Sequence, residues 1–75
     1  MSLGHGKTIM KLIVNGKPHE HKGAGAIPVL LHEIGAVPEQ VAVMVNDEVI
    51  PRADRTAVTL KEADKIEVLS FCGGG

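Results

Sequence analysis

Seventy-five residues with a formal net charge of −1 provide one domain with a marginal core, because a chain this short buries only about 60% of its unfolded surface. A large catalytic cleft is thereby excluded, and the lack of a basic cluster, with Phe71 as the single aromatic, excludes nucleic acid as a partner. One cysteine makes no internal disulfide, and no long apolar run or secretory segment is present, so no membrane span is expected and the cytoplasm is the expected compartment.

Residues 1–9 carry no useful periodicity and read as an extension or expression remnant, which places the domain at 10–71 and a flexible tail at 72–75. Met10, Leu12 and Val14 alternate with Lys11 and Ile13, the pattern of a half-buried strand. Asn15-Gly16 then supplies the two residues of positive φ that a type I′ hairpin turn requires, and a second strand is expected from Lys17 to Lys22. Gly23-Ala24-Gly25 interrupts the pattern. Ile27, Leu30, Leu31 and Ile34 recur at helical spacing, with Pro28 in the first turn and Gly35 as the stop. Ala26 at the N-cap has no side-chain oxygen, so that helix start is uncapped.

Val41-Ala42-Val43-Met44-Val45 reads as a third strand ending in a turn at Asn46-Asp47. Val49-Ile50 makes a short piece that Pro51 confines to an edge. Residues 52–61 form an irregular crossing with Val58 and Leu60 as inward anchors, and Glu62-Ala63-Asp64 turns into a last strand from Lys65 to Phe71. The order β-β-α-β-(short β)-β, with one helix, implies a two-layer α+β roll that leaves one sheet face in water. The expected core is Leu12, Val14, Leu30, Leu31, Ile34, Val43, Ile66 and Val68. Alternation then sends Met44, Leu69 and Phe71 outward, and an exposed apolar group so near the tail reads as a docking patch.

The tail itself is the sharpest functional feature. Gly73, Gly74 and Gly75 contribute nothing to a fold, since glycine loses the most backbone freedom on ordering, but a thin strand ending in an unhindered carboxylate can thread a narrow crevice of a partner enzyme. Residues 23–75 carry eight acids against four bases, and Glu62, Asp64 and Glu67 near the tail offer a rim for a basic enzyme mouth. His19 and His21 share a strand face, but two imidazoles without a third ligand make no metal site, and they are expected to be solvated. Asp54, Arg55 and Thr56 in the crossing segment have no Ser/His or Cys/His pairing to support catalysis.

Five segments in order, Met10 to Gly16, Leu30-Leu31-x-x-Ile34-Gly35, Val43 to Arg52, Leu60 to Glu67 and the terminal Gly74-Gly75, resemble the ThiS family, the sulfur carriers of thiamine thiazole biosynthesis. The resemblance spans residues 10–75. It implies a ubiquitin-like β-grasp roll, with a mixed sheet of four to five strands and one main helix on one face. It also implies a protein cosubstrate and not an enzyme. An E1-like, ThiF-type partner uses ATP and Mg²⁺ to adenylate the Gly75 carboxylate. Sulfur from a desulfurase-fed persulfide relay displaces AMP, and a ThiG-type thiazole synthase consumes the resulting thiocarboxylate. No cofactor is implied on the carrier itself. Ala63 stands where the family often has glycine, which matters if that turn needs positive φ. Cys72 precedes the glycines, where the family tends to have other small or apolar residues. As a thiol it is a candidate for mixed-disulfide capture or attack on the adenylate, against the plainer role of a small hydrophobe. A carrier for molybdopterin or cysteine synthesis and a ubiquitin-like modifier are the rival readings; the Pro-Pro step usual in the molybdopterin type is absent from Ser70-Phe71-Cys72.

Overall fold

The structure, a computed structural model, describes residues 9–71. Its first hairpin forms where the Asn-Gly pair demands one. β1 (Met10–Val14) and β2 (Lys17–His21) pair antiparallel from Met10↔His21 to Val14↔Lys17, and Asn15 and Gly16 between them hold φ of 51° and 81°, as a type I′ turn requires. β2 lies at the edge of the sheet, the position in which a strand tolerates Pro18. The strand stops one residue short of the expected Lys22, whose backbone N–H instead donates to Glu33 Oε2 at 2.8 Å.

α1 (Ile27–Glu33) begins at the uncapped Ala26, carries Pro28 in its first turn and is followed by Gly35 at φ 75°. Ile27, Leu30 and Leu31 are buried beneath it, whereas Ile34 is its C-cap and only half-buried. Just before the helix, Gly25 sits at φ 90°, and a Cβ there would lie 2.6 Å from the Leu60 carbonyl oxygen. That close approach lets the Leu60 N–H donate to the Gly25 carbonyl at 2.8 Å and lets Ala26 bridge Thr59. The crossing segment is thus tied to the helix start, and Leu60 is driven into the core.

β3 (Val41–Val45) and β4 (Glu48–Ile50) form a second hairpin around Asn46 and Asp47, both at positive φ. β5 (Lys65–Ser70) enters between the two hairpins. It runs parallel to β1 through Ile13↔Lys65 and Val14↔Ile66 and antiparallel to β3 from Val41↔Ser70 to Val45↔Ile66, giving the order β2-β1-β5-β3-β4. The strand ends at Ser70 and not Phe71, although the Phe71 N–H still donates to the Gln40 carbonyl at 3.1 Å.

The core consists of Leu12, Val14, Ile27, Leu30, Leu31, Val41, Val43, Leu60 and Ile66. Ile34 and Val68, expected inside, sit at its margin because both border an open cavity beyond the helix C-terminus. Two polar side chains are also buried, His21 and Arg55.

Ala63 takes up φ 70° in the turn before β5, its N–H donating to the Lys11 carbonyl at 2.7 Å. An L-residue in this region is strained by about 1–2 kcal/mol, and glycine gives back about 0.5–1 kcal/mol through a looser unfolded chain. Ala63→Gly is therefore expected to stabilise the domain by up to about 1 kcal/mol, read as a higher urea midpoint at unchanged slope. A lower midpoint would mean that the turn is unstrained with alanine.

Candidate functional site

The helix covers one sheet face, and strand alternation leaves the other to carry any docking surface. On that face Ala42 pairs with Leu69, Met44 pairs with Glu67, and Val49 stands beside Met44 across the β3–β4 ladder. Met44 is half-buried, while Leu69, Val49 and Phe71 are 51%, 61% and 65% exposed. Met44 and Leu69 thus share the outer face as the sequence pattern implied, and Phe71 takes the next outward position along the chain. Ala42 and Val49 join them. Val49 escapes a reading by periodicity because its strand is three residues long, and only the register with Met44 reveals its face.

The chain leaves this sheet at the end where both central strands outrun their neighbours. The β1 pairing with β5 stops at Ile66, and the Asn15 side chain replaces the missing strand: its Oδ1 accepts the Val68 N–H at 2.8 Å. On the other side the β4 pairing stops at Val43, and there Arg55 donates from Nη2 to the Val41 carbonyl at 2.7 Å and from Nη1 to the Pro38 carbonyl at 3.0 Å. An open cavity of about 350 Å³ lies alongside, bordered by Ile34, Val37, Gln40, Val41, Val68 and Ser70. Among the described residues no titratable side chain lines it. Cys72, Gly73, Gly74 and Gly75, the tail residues singled out above, lie outside the described residues.

The two strand histidines are not solvated as expected. His21 is fully buried and His19 is half-buried, and both point at Glu33, whose Oε1 lies 2.9 Å from His19 Nε2 and 2.9 Å from His21 Nδ1. The Gly25 backbone N–H donates to His21 Nε2 at 3.1 Å, so Nε2 is the acceptor and Nδ1 carries the proton that Glu33 accepts. Burial alone would raise the Glu33 pKa, but the hydrogen bonds from His19, His21 and the Lys22 N–H outweigh it and lower the pKa to about 2. The trio is a clasp between β2 and the end of α1. Among the described residues no group of three or more His, Cys, Asp or Glu is arranged to hold a metal ion, and no helix is long and apolar enough to cross a membrane. The missed signal was Glu33, which falls at the end of the helical stripe, one turn beyond Val29 and Leu30.

Known proteins match this arrangement. The model of the ThiS family matches residues 12–75. A thiazole synthase of Magnetococcus marinus is 44% identical over 66 residues, and one of Paramagnetospirillum magneticum is 35% identical over 66 residues; each match covers 88% of this chain. The chain spans only 20% of the length of those two curated relatives. A crystal structure of the thiamine biosynthesis protein ThiS from Geobacter metallireducens superposes with a TM-score of 0.72 at 42% identity, covering 88% of this chain and 100% of that one. The two-layer roll described above is therefore the β-grasp fold.

The clasp has a pH signature. With its folded pKa of about 2 below the ordinary 4.5, Glu33 stabilises the domain above about pH 4.5, and that contribution is lost as the pH falls through 2. The shift corresponds to at most about 3 kcal/mol. Denaturant titrations between pH 5 and pH 2 should show a steeper loss of stability for the parent chain than for Glu33→Gln. Equal slopes would place the acid sensitivity elsewhere.

Proposed function

We propose, because this chain belongs to the ThiS family, that it is a sulfur carrier in thiamine biosynthesis and that the Gly75 carboxylate is the carrying group. The observation that carries this reading is the extent of the family match, which runs through the glycine tail to residue 75. A carboxylate resists attack because its leaving group would be an oxide. A ThiF-type, E1-like enzyme therefore joins it to the α-phosphate of Mg²⁺-bound ATP, releasing pyrophosphate and forming an acyl-adenylate. The terminal sulfur of a persulfide, fed by a desulfurase relay, then attacks the acyl carbon and expels AMP. The product is an acyl disulfide, and a thiol reductant cleaves its S–S bond to leave the thiocarboxylate on Gly75 and a disulfide on the donor side.

The thiocarboxylate sulfur is the nucleophile that a ThiG-type thiazole synthase takes up. The likeness of this chain to a fifth of two thiazole synthases supports that enzyme as the receiving partner. Ala42, Met44, Val49, Leu69 and Phe71 form the docking face, which leads directly into Cys72 and the glycines. The carrier supplies handle and grip, while ATP, Mg²⁺ and proton transfers belong to the partners. A cavity without titratable groups at the root of the tail is consistent with that division.

Intact mass after incubation with ATP, Mg²⁺, a ThiF-type enzyme, a persulfide donor and a thiol reductant should rise by the exchange of one oxygen for sulfur. Deleting Gly74 and Gly75 should abolish the change and leave the melting temperature where it was, since every core residue lies between Leu12 and Ile66. A parent chain that keeps its mass overturns the carrier reading, and a truncated chain that melts much lower overturns the separation of tail from fold.

An aromatic anchor at an interface commonly contributes 2 kcal/mol or more. Phe71→Ala is accordingly expected to weaken binding to the activating enzyme at least about tenfold with little effect on stability, both measurable by calorimetry. Unchanged affinity would remove Phe71 from the docking face.

A further inference from the structure

We propose that Arg55 is a positioning residue for the C-terminal glycines: through the turn 38–41 it holds the Gln40 carbonyl, to which Phe71, the last described residue, is bonded. The proposal rests on the carrier reading above. Its starting point is an anomaly. Arg55 is 6% exposed, yet among the described residues no carboxylate pairs with its guanidinium, and its Nε is buried without a hydrogen-bond partner. A buried cation held only by neutral carbonyls carries a desolvation cost that its two hydrogen bonds offset only in part. Departures of this kind from local economy are expected where a protein holds something for function.

What Arg55 holds is specific. Its own N–H donates to the Arg52 carbonyl, in the 3₁₀ turn Arg52–Asp54 that follows β4 and Pro51. Its guanidinium spans another 3₁₀ turn, Pro38–Gln40, gripping the carbonyl of its first residue, Pro38, and that of Val41 just after it. Between those two grips lies Gln40, whose carbonyl accepts the Phe71 N–H at 3.1 Å. Gln40 is itself exposed and Phe71 is 65% exposed, so neighbouring side chains do little to fix this link, and the bridge from Arg55 supplies the rigidity. Since Val41↔Ser70 is the last paired position of β3 and β5, loosening 38–40 releases the Phe71 link while the ladder from Val41 onward stays intact.

The test compares the parent chain with Arg55→Met, which keeps the stem without donors, and Arg55→Lys, which can reach one carbonyl of the two. Two readouts are taken on the full chain: steady-state adenylation by a ThiF-type enzyme, and backbone ¹⁵N order parameters. Positioning predicts that Arg55→Met lowers kcat at least about tenfold, as a misplaced reacting group does, while the KM for the carrier changes less than about twofold. Arg55→Lys should fall between the two. Order parameters at Gln40 and Phe71 should drop in both variants while those at Val43 and Ile66 hold. A loss confined to KM, or unchanged kcat with unchanged order parameters, overturns the proposal. If the parent chain is not adenylated at all, the carrier reading fails, and the order parameters still decide whether Arg55 fixes Gln40 and Phe71.

Discussion

The fold depends on β5 pairing on both sides at once. β1 and β2 form one hairpin and β3 and β4 another, and the order β2-β1-β5-β3-β4 makes the last strand the only one that joins them. Each hairpin is local, closed by a two-residue turn, and a two-stranded hairpin alone is marginal in water. The sheet is therefore completed only when residues 65–70 are added, which ties its cooperativity to contacts of high sequence separation such as Val14↔Ile66. Ile66 is the one residue of β5 that is fully buried, and it pairs with both Val14 and Val45. β5 is thus flanked on both sides as far as Ile66 and beyond it is paired to β3 alone, up to Val41↔Ser70.

A central strand longer than its neighbours creates a physical difficulty, because its backbone groups beyond the last ladder pair have no strand to bond. The chain solves this with side chains. Asn15, held at positive φ by the turn that ends β1, presents its Oδ1 to the Val68 N–H, and Arg55 does the corresponding service for β3 at the Val41 carbonyl. Asn46 extends the principle at the opposite end, where its Oδ1 accepts the Lys65 N–H at 3.0 Å. Asparagine at turns thus serves twice, tolerating positive φ and finishing the ladder.

Features governed by near neighbours were legible in the sequence. The Asn15-Gly16 turn, the uncapped helix with Pro28 and the outward set of Met44 and Leu69 all follow from local geometry or from a period of two, whereas the positive φ at Ala63 was raised only by the resemblance, as a condition. What was not legible depended on groups brought together from afar. His21 is buried because Glu33 and Gly25 satisfy both of its nitrogens, and Arg55 is buried because two carbonyls from residues 38 and 41 receive it. No periodicity announces such pairings. Ile34 and Val68 failed as core residues for the converse reason: both have the right spacing, but the helix ends at Glu33 and leaves a cavity where a further turn would have covered them.

The acid–base groups of the β2–α1 clasp are spent on structure. A general base works best with a pKa near the operating pH. Glu33, the one carboxylate with several donors converging on it, is held at about 2 and has its lone pairs engaged by His19, His21 and Lys22, so it can neither take up a proton near neutrality nor leave its partners without opening the β2–α1 clasp. His21 is equally committed, with one nitrogen donating to Glu33 and the other accepting from Gly25. At the root of the tail, Asn15 and Arg55 bond the backbone and the cavity offers only apolar and neutral polar walls. Glu33 and His21, so committed, serve as a structural clasp between β2 and α1.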